Sequence, residues 1–413
     1  MRLSETRLLG FDVGRFFDVK RIFAHPVSRA SFLRIVGLLS GVLGSVVLAR
    51  LGGPELKGVS SAYAAANAIA FMAINFDLAQ VVLREARATQ DLARVRQALV
   101  AGWLAYAVLG IAAVGLLALF DVSSEWLIVG AVAYLVGAQA GVGAIGISGP
   151  TIGAWGAIIQ QGAMIAGVFV AHGLDALDND SVRLIIVISY LAPLPFFLLA
   201  MRTPAAGRSP LNLSHLWRYV LAGLPWQLGR LLQMGLQKLD TLFVFSVLGA
   251  ATAGVYSVGL STAMLCTIVP AQFANQALHE ATRTHGDVDT KRASVGALIG
   301  GAVPAAALAA VGGTLLTLLY GESFSSAYPV LLATLGGAIG YGVMQVQTNY
   351  IRILGRWWNL AIPAAFGLVA MIVGLWLLVG PLGAVGAGLA FSCGSIVAAA
   401  TSVVAVRRLS ASA

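Results

Sequence analysis

Apolar residues in this chain gather in long runs separated by short polar stretches, and strict alternation of apolar and polar positions is rare. A membrane-crossing helix needs roughly 20 predominantly apolar residues. By that measure the pattern predicts about twelve spans, at 31–50, 59–82, 98–120, 126–146, 151–171, 182–201, 222–247, 255–278, 293–319, 328–351, 358–380 and 383–406. The runs are too long for barrel strands, and a helix satisfies its own backbone hydrogen bonds inside hydrocarbon. The predicted fold class is therefore all-α, a polytopic membrane protein of twelve transmembrane helices.

Cations sort onto alternate connections. The N-terminal stretch carries Arg2, Arg7, Arg15, Lys20, Arg21 and Arg29 and reads as a cytoplasmic arm over 1–30 rather than a signal peptide. Even-numbered connections hold Arg84, Arg87, Arg94 and Arg96, then Arg202, Arg208 and Arg218, then Arg283, Lys291 and Arg292, then Arg352 and Arg356; Arg407 and Arg408 follow the last span. Odd-numbered connections are poorer in cations: Glu55 with Lys57, then Asp121 and Glu125, then Asp175, Asp178 and Asp180 with Arg183 at their edge, then Glu322. Because cytoplasmic loops collect Lys and Arg, both termini are expected in the cytoplasm.

Composition narrows the function classes. Of 413 residues, 59% are hydrophobic with glycine left out and only 10% are charged, too few to cover a large core in water. A cytosolic enzyme, a secreted disulfide scaffold and a disordered tail binder are excluded. Cys266 and Cys393 fall inside apolar stretches and read as small buried side chains. The net charge of +9 follows from loop arginines and lysines and implies no nucleic-acid partner. No GxxxxGK[ST] phosphate loop occurs, and the five histidines lack metal-ligand spacing, so neither catalysis nor a cofactor or metal is expected. Gly141-Val142-Gly143-Ala144-Ile145-Gly146 matches GxGxxG literally, but inside an apolar span it reads as small-residue helix packing.

Residues 34–86 and 229–281 look like two copies of one unit. Arg34 precedes Gly58 by 24 positions, as Arg230 precedes Gly254; Leu51-Gly52 matches Leu248-Gly249 within one position. The prediction is an N-lobe over 31–201, a linker over 202–216 rich in Pro, Gly and Ser, and a C-lobe over 217–413, two six-helix pseudo-repeated lobes. Parallel repeats of this kind belong to secondary transporters, with substrate at the interface.

The seventh span is the most polar. Gln227, Arg230, Gln233, Gln237 and Asp240 recur at intervals of three and four, on one helical face. Arg or Asp at a helix centre costs about 2.5–3.5 kcal/mol against lipid, so this face is expected to line a wet cavity or meet polar partners. Lys238, about 100° away, reads equally as a cavity group and as a partner for a neighbouring acid. In the first span Arg34 shares a face with Gly37, Gly41 and Gly44, and Gly37 with Gly41 forms a packing GxxxG. The second span places Tyr63, Asn67 and Asn75 on one side and Asp77, Gln80 and Arg84 on another, Asp77 and Arg84 reading as an internal pair with a coupling or gating role open to them and to Asp240.

Ala49-Arg50-Leu51-Gly52-Gly53-Pro54-Glu55-Leu56-Lys57-Gly58 resembles the ARxLGPxxxG connection of the O-antigen and polysaccharide flippases, in the multidrug/oligosaccharidyl-lipid/polysaccharide superfamily of transporters. Asp77-Leu78 with Leu83-Arg84-Glu85, Lys238-Leu239-Asp240, Gly254-Val255-Tyr256-Ser257, Tyr320-Gly321-Glu322, Leu354-Gly355-Arg356 and Pro381-Leu382-Gly383-Ala384-Val385-Gly386-Ala387 are similar to further stretches of that family, in order along most of the chain. His172–Ser181, acidic and glycine-poor, departs from it. The resemblance implies a flippase of the bacterial inner membrane that carries an undecaprenyl-diphosphate-linked oligosaccharide to the periplasmic leaflet, alone or beside a polysaccharide polymerase. Arginine suits a diphosphate through its bidentate fork, so Arg34 and Arg230 are expected to hold it, with Gln227, Gln233 and Gln237 supplying amides for the sugar and Lys238, Asp240, Asn67 and Asn75 as further substrate-binding residues. The alternative is a cation-coupled multidrug exporter of the same superfamily, which would place acids rather than fixed cations in its cavity.

Overall fold

The computed structural model describes residues 26–75, 125–148, 150–200, 213–274, 290–354 and 357–411. Among them the elements are all helical: α1 Pro26–Ile74, α2 Glu125–Ser148, α3 Pro150–Gly173, α4 Asn179–Leu191, α5 Leu194–Ala200, α6 Leu213–Leu248, α7 Ala250–Ala263, α8 Thr290–Tyr320, α9 Ala327–Leu354 and α10 Trp358–Ala411, with short 3-10 turns at Met264–Thr267 and Glu322–Phe324. Eight helical stretches among the described residues are long and apolar enough to cross a membrane, which makes this a multi-pass membrane protein. Every predicted span except 98–120, which lies outside the described residues, falls wholly or in part on one of the helices α1 to α10. The seventh begins at Leu213, inside the stretch assigned to the linker.

Sharp turns separate the arms. α1 and α10 each contain two arms, broken at Gly53 (φ 70°) and Gly383 (φ 57°). Gly249 (φ 84°) parts α6 from α7, and Gly321 (φ 96°) parts α8 from α9. All four need a left-handed backbone that a Cβ would disfavour, and Pro54 then restarts the second arm of α1 at a position where its missing N–H costs nothing. The turn between α3 and α4 uses Asp175 (φ 54°) in the same way. After it, Asp178 caps α4: its carboxylate accepts the Ser181 N–H at 2.8 Å, while Ser181 Oγ accepts the Asp178 N–H at 2.8 Å. These turns are the odd-numbered connections of the predicted topology, and four of them gather at one end of the bundle, where Pro54, Ala251, Ser323, Ser326 and Ala384 line one crevice. Arg50 fastens that turn end by donating to the carbonyls of Leu318 and Leu319 in the last turn of α8, where a cation also meets the helix dipole.

Small residues set the packing. Gly37, Gly41 and Gly44 lie against Ala157, Gln161 and Ile165 of α3, and Gly141 packs on the ring of Phe197. The two arms of α10 run side by side with Gly374 against Ala390 and Gly367 against Ala398.

The second arm of α1 meets α7 with a reciprocal pattern. A Cβ on Gly58 would fall 1.8 Å from the Ala250 carbonyl oxygen, and one on Gly254 would fall 1.9 Å from the Pro54 carbonyl oxygen. One turn further in, Ser61 Oγ donates to Ser257 Oγ at 2.9 Å, across 196 positions of sequence. Pro54 with Ala250, Gly58 with Gly254 and Gly53 with Gly249 keep that same interval, so a local two-fold axis passes between the copies. The glycine equivalent to Gly249 is thus Gly53 and not Gly52, and the match needs no gap.

Candidate functional site

The polar face of α6 divides between neighbours. Gln233 Nε2 donates to Thr348 Oγ1 at 3.0 Å, and Gln237 Nε2 donates to the Tyr341 hydroxyl at 2.6 Å, so both amides tie α6 to α9. Asp240 is wholly buried; its Oδ1 accepts the Thr241 N–H at 2.7 Å and its Oδ2 accepts the Tyr256 hydroxyl of α7 at 2.5 Å. Gln227 is buried with neither amide atom hydrogen-bonded among the described residues. Arg230 is half-buried, with its charge acting on the Tyr134 hydroxyl of α2. Polar partners thus take most of this face, and the cavity takes its flank.

That flank is Gln237, Lys238 and Thr241, which border a cavity of about 390 Å³ between α6, α7 and the two arms of α1. From α1 come Gly41, Ser45, Lys57, Ser60 and Ser61; from α7 come Ser257, Leu260 and Ser261; Met264 lies beyond. A second, largely apolar cavity of about 400 Å³ shares Gly41, Ser45, Ser261 and Met264 with the first and continues between the first arm of α1 and residues 264–272. The first cavity therefore lies where the two sequence copies touch, with the Ser61–Ser257 contact in its wall.

Lys57 is the residue that sequence reasoning missed. In the chain it is a loop charge beside Glu55, yet it is buried and lines the cavity opposite Lys238, near enough for the two charges to repel. The available signal was Gly58: as the equivalent of Gly254 it marks a close backbone approach, which draws the preceding side chain inward. Among the described residues no carboxylate lines either cavity.

The remaining expected residues are dispersed. Asn67 is wholly buried beside Tyr63 and Gly130, away from the cavity lining; the Tyr63 hydroxyl donates to the Trp126 carbonyl. Tyr134 packs edge-on against Phe71 and Tyr190 in the same region, with ring centroids 4.8 and 4.7 Å away. Asn75 is buried just past the end of α1. Arg34 belongs to α1, but its side chain lies outside the described residues, as do Asp77, Gln80 and Arg84. Among the described residues no group of His, Cys, Asp and Glu could hold a metal ion. Outside the membrane, the Ser181 amide and hydroxyl hold the Asp178 carboxyl below its ordinary pKa.

No family model matches the chain, and no curated protein matches it. Solved structures do. The inward-facing conformation of a multidrug resistance MATE family transporter of the MOP superfamily aligns over 92% of this chain and 98% of its own, with a TM-score of 0.66 at 14% identity. The lipid II flippase MurJ, in an inward closed conformation, aligns over 91% of this chain and 86% of its own, with a TM-score of 0.65 at 14% identity. A MOP superfamily transporter from Pyrococcus furiosus, described as having a binding pocket of reverse polarity, aligns over 94% and 96% with a TM-score of 0.61 at 14% identity. The chain shares the fold of these transporters.

Proposed function

We propose that this protein is a flippase for a lipid-linked oligosaccharide, moving an undecaprenyl-diphosphate glycan from the cytoplasmic to the periplasmic leaflet of a bacterial inner membrane. The observation that carries this reading is the sign of the cavity between the sequence copies: among the described residues its lining holds two lysines, five serines, a threonine and a glutamine, and no acid. A diphosphate with a hydrated sugar chain cannot cross hydrocarbon unaided; fixed cations and hydroxyls would replace its water, and the apolar second cavity would accommodate the start of the prenyl chain. An exporter of cationic drugs would need carboxylates in the same place. The two copies would act as lobes, over 31–201 and 217–413, that rock about their contact so that the cavity faces one leaflet and then the other. Arg230, with Arg34 as its counterpart, would receive the diphosphate on the way in. The protein would act as a single chain or beside a polymerase.

The test is reconstitution into liposomes with a fluorescent prenyl-diphosphate oligosaccharide, scored by the fraction protected from an external quencher. Arg230→Ala is expected to lower the rate about tenfold or more, as for a lost charge-assisted pair. Arg230→Lys should restore part of it, since a point charge keeps attraction but loses the bidentate geometry. Transport of an organic cation, with none of the anionic lipid, would refute the reading.

A further inference from the structure

We infer that Lys57 and Lys238 together form a binding site for a phosphate-class anion at the turn end of the cavity, a site that exists only while the two sequence copies are in contact. Lys57 belongs to the second arm of α1 and Lys238 to α6, so neither copy holds the site alone. Both lysines border the same cavity. Among the described residues neither takes part in an ion pair or hydrogen bond.

The charge balance among the described residues favours a ligand. The acid near Lys238 is Asp240, and its two oxygens are already engaged by Thr241 on its own helix and Tyr256 on α7. At most one positive charge is offset from there, which leaves Lys57 buried without a counter-charge among the described residues. Removing an unpaired ammonium from water is costly, and a second cation beside it adds to the cost. A bound anion would remove both penalties together. Ser60 adds a hydroxyl beside the lysines, and the hydroxyls of Ser61, Ser257 and Ser261, which donate to Ser257 and to the Gly254 and Val258 carbonyls, could turn toward a polyatomic oxyanion with several acceptor oxygens. The Gly58 and Gly254 contacts bring Lys57 into the cavity, so separating the copies at the turn end would dissolve the site.

The site stands on this geometry. Its identification as the seat of the cargo's diphosphate rests on the flippase reading, and the experiment separates the two. Full-length protein in nanodiscs of neutral lipid is titrated with inorganic pyrophosphate and, separately, with farnesyl diphosphate added to the bilayer, following heat release and the shift in melting temperature. Lys57→Gln and Lys238→Gln should each weaken binding about tenfold, and the double variant more, in line with loss of charge-assisted hydrogen bonds. The melting temperature of the unliganded double variant should hold or rise, because repulsion is relieved, whereas lysines with a packing role would lower it. Lys57→Glu, which supplies Lys238 with a fixed partner, should abolish the pyrophosphate response in a folded protein. Preference for farnesyl diphosphate would identify a lipid headgroup as the source, and equal affinity for both a free anion; either outcome supports the site if it depends on the lysines. Unchanged affinity in Lys57→Gln/Lys238→Gln and in Lys57→Glu would overturn it. Lysine-dependent binding without lipid transport would leave the site standing and sink the flippase reading.

Discussion

The hydroxyls of Ser61 and Ser257 meet at 2.9 Å, and the interval of 196 positions between them is the one that relates Gly58 to Gly254 and Gly53 to Gly249. A duplicated segment has thus folded so that each copy presents the same surface to the other. The contact is isologous in the manner of a two-fold dimer, and it forms part of the wall of the cavity between the copies.

If the copies separate during the working cycle, a bond across this contact should stop it. Ser61→Cys/Ser257→Cys, in a background carrying Cys266→Ala and Cys393→Ser, is expected to form a disulfide under mild oxidant. Transport in liposomes should cease on oxidation and return on reduction. Full transport by the oxidised protein would mean that this end never opens.

Gly58 and Gly254 have no room for a side chain. Gly58→Ala would place a methyl group 1.8 Å from the Ala250 carbonyl oxygen, against backbone that cannot rotate away. The copies must then move apart at the turn end. Adding Gly58→Ala to the Ser61→Cys/Ser257→Cys protein should therefore sharply reduce the disulfide formed under the same oxidant. Undiminished cross-linking would show that the backbone relaxes locally instead.

Tyr256 supplies one of the donors that hold the buried Asp240 carboxylate. Tyr256→Phe removes that hydroxyl at nearly constant volume, and hydrogen bonds to charged groups contribute about 1.5–3 kcal/mol. Thermal unfolding in detergent should show a destabilisation of about that size, while Ser257→Ala, which removes a neutral hydroxyl bonded to Ser61 and to the Gly254 carbonyl, should cost less than about 1.5 kcal/mol. Equal effects would contradict the role given to the Asp240–Tyr256 bond.

The cap at Asp178 makes the start of α4 sensitive to acid. Its folded pKa is depressed by the Ser181 amide and hydroxyl, so its contribution is present at neutral pH and is lost as pH falls from the unfolded carboxyl value through the lowered folded one. The Ser181 amide should therefore keep its protection factor, exchange corrected for the intrinsic rate at each pH, near neutral pH and lose it only in acid. Asp178→Ala should show low protection at every pH, and a wild-type profile in that variant would rule out the cap as the cause.

Much of this was legible in the chain because membrane helices are written in one dimension. Run length and hydrophobicity are local, so the spans appear without any knowledge of their neighbours; the duplication appears because the Arg34–Gly58 spacing repeats at Arg230–Gly254. The backbone decided which glycine turns: the sequence match paired Gly52 with Gly249, and the left-handed residue is Gly53. What periodicity could not assign was the target of each polar face. The stripe on α6 looks uniform in sequence, yet Gln233 and Gln237 bond to α9, Asp240 to α7, and Lys238 borders the cavity. A helical pattern fixes direction around one axis but not what stands opposite, and that depends on where other helices pack. Lys57 is the clearest case: in sequence it is a charge in a short polar connection, and only the approach of Gly58 to Ala250, made by residues far apart in the chain, carries it into the interior beside Lys238.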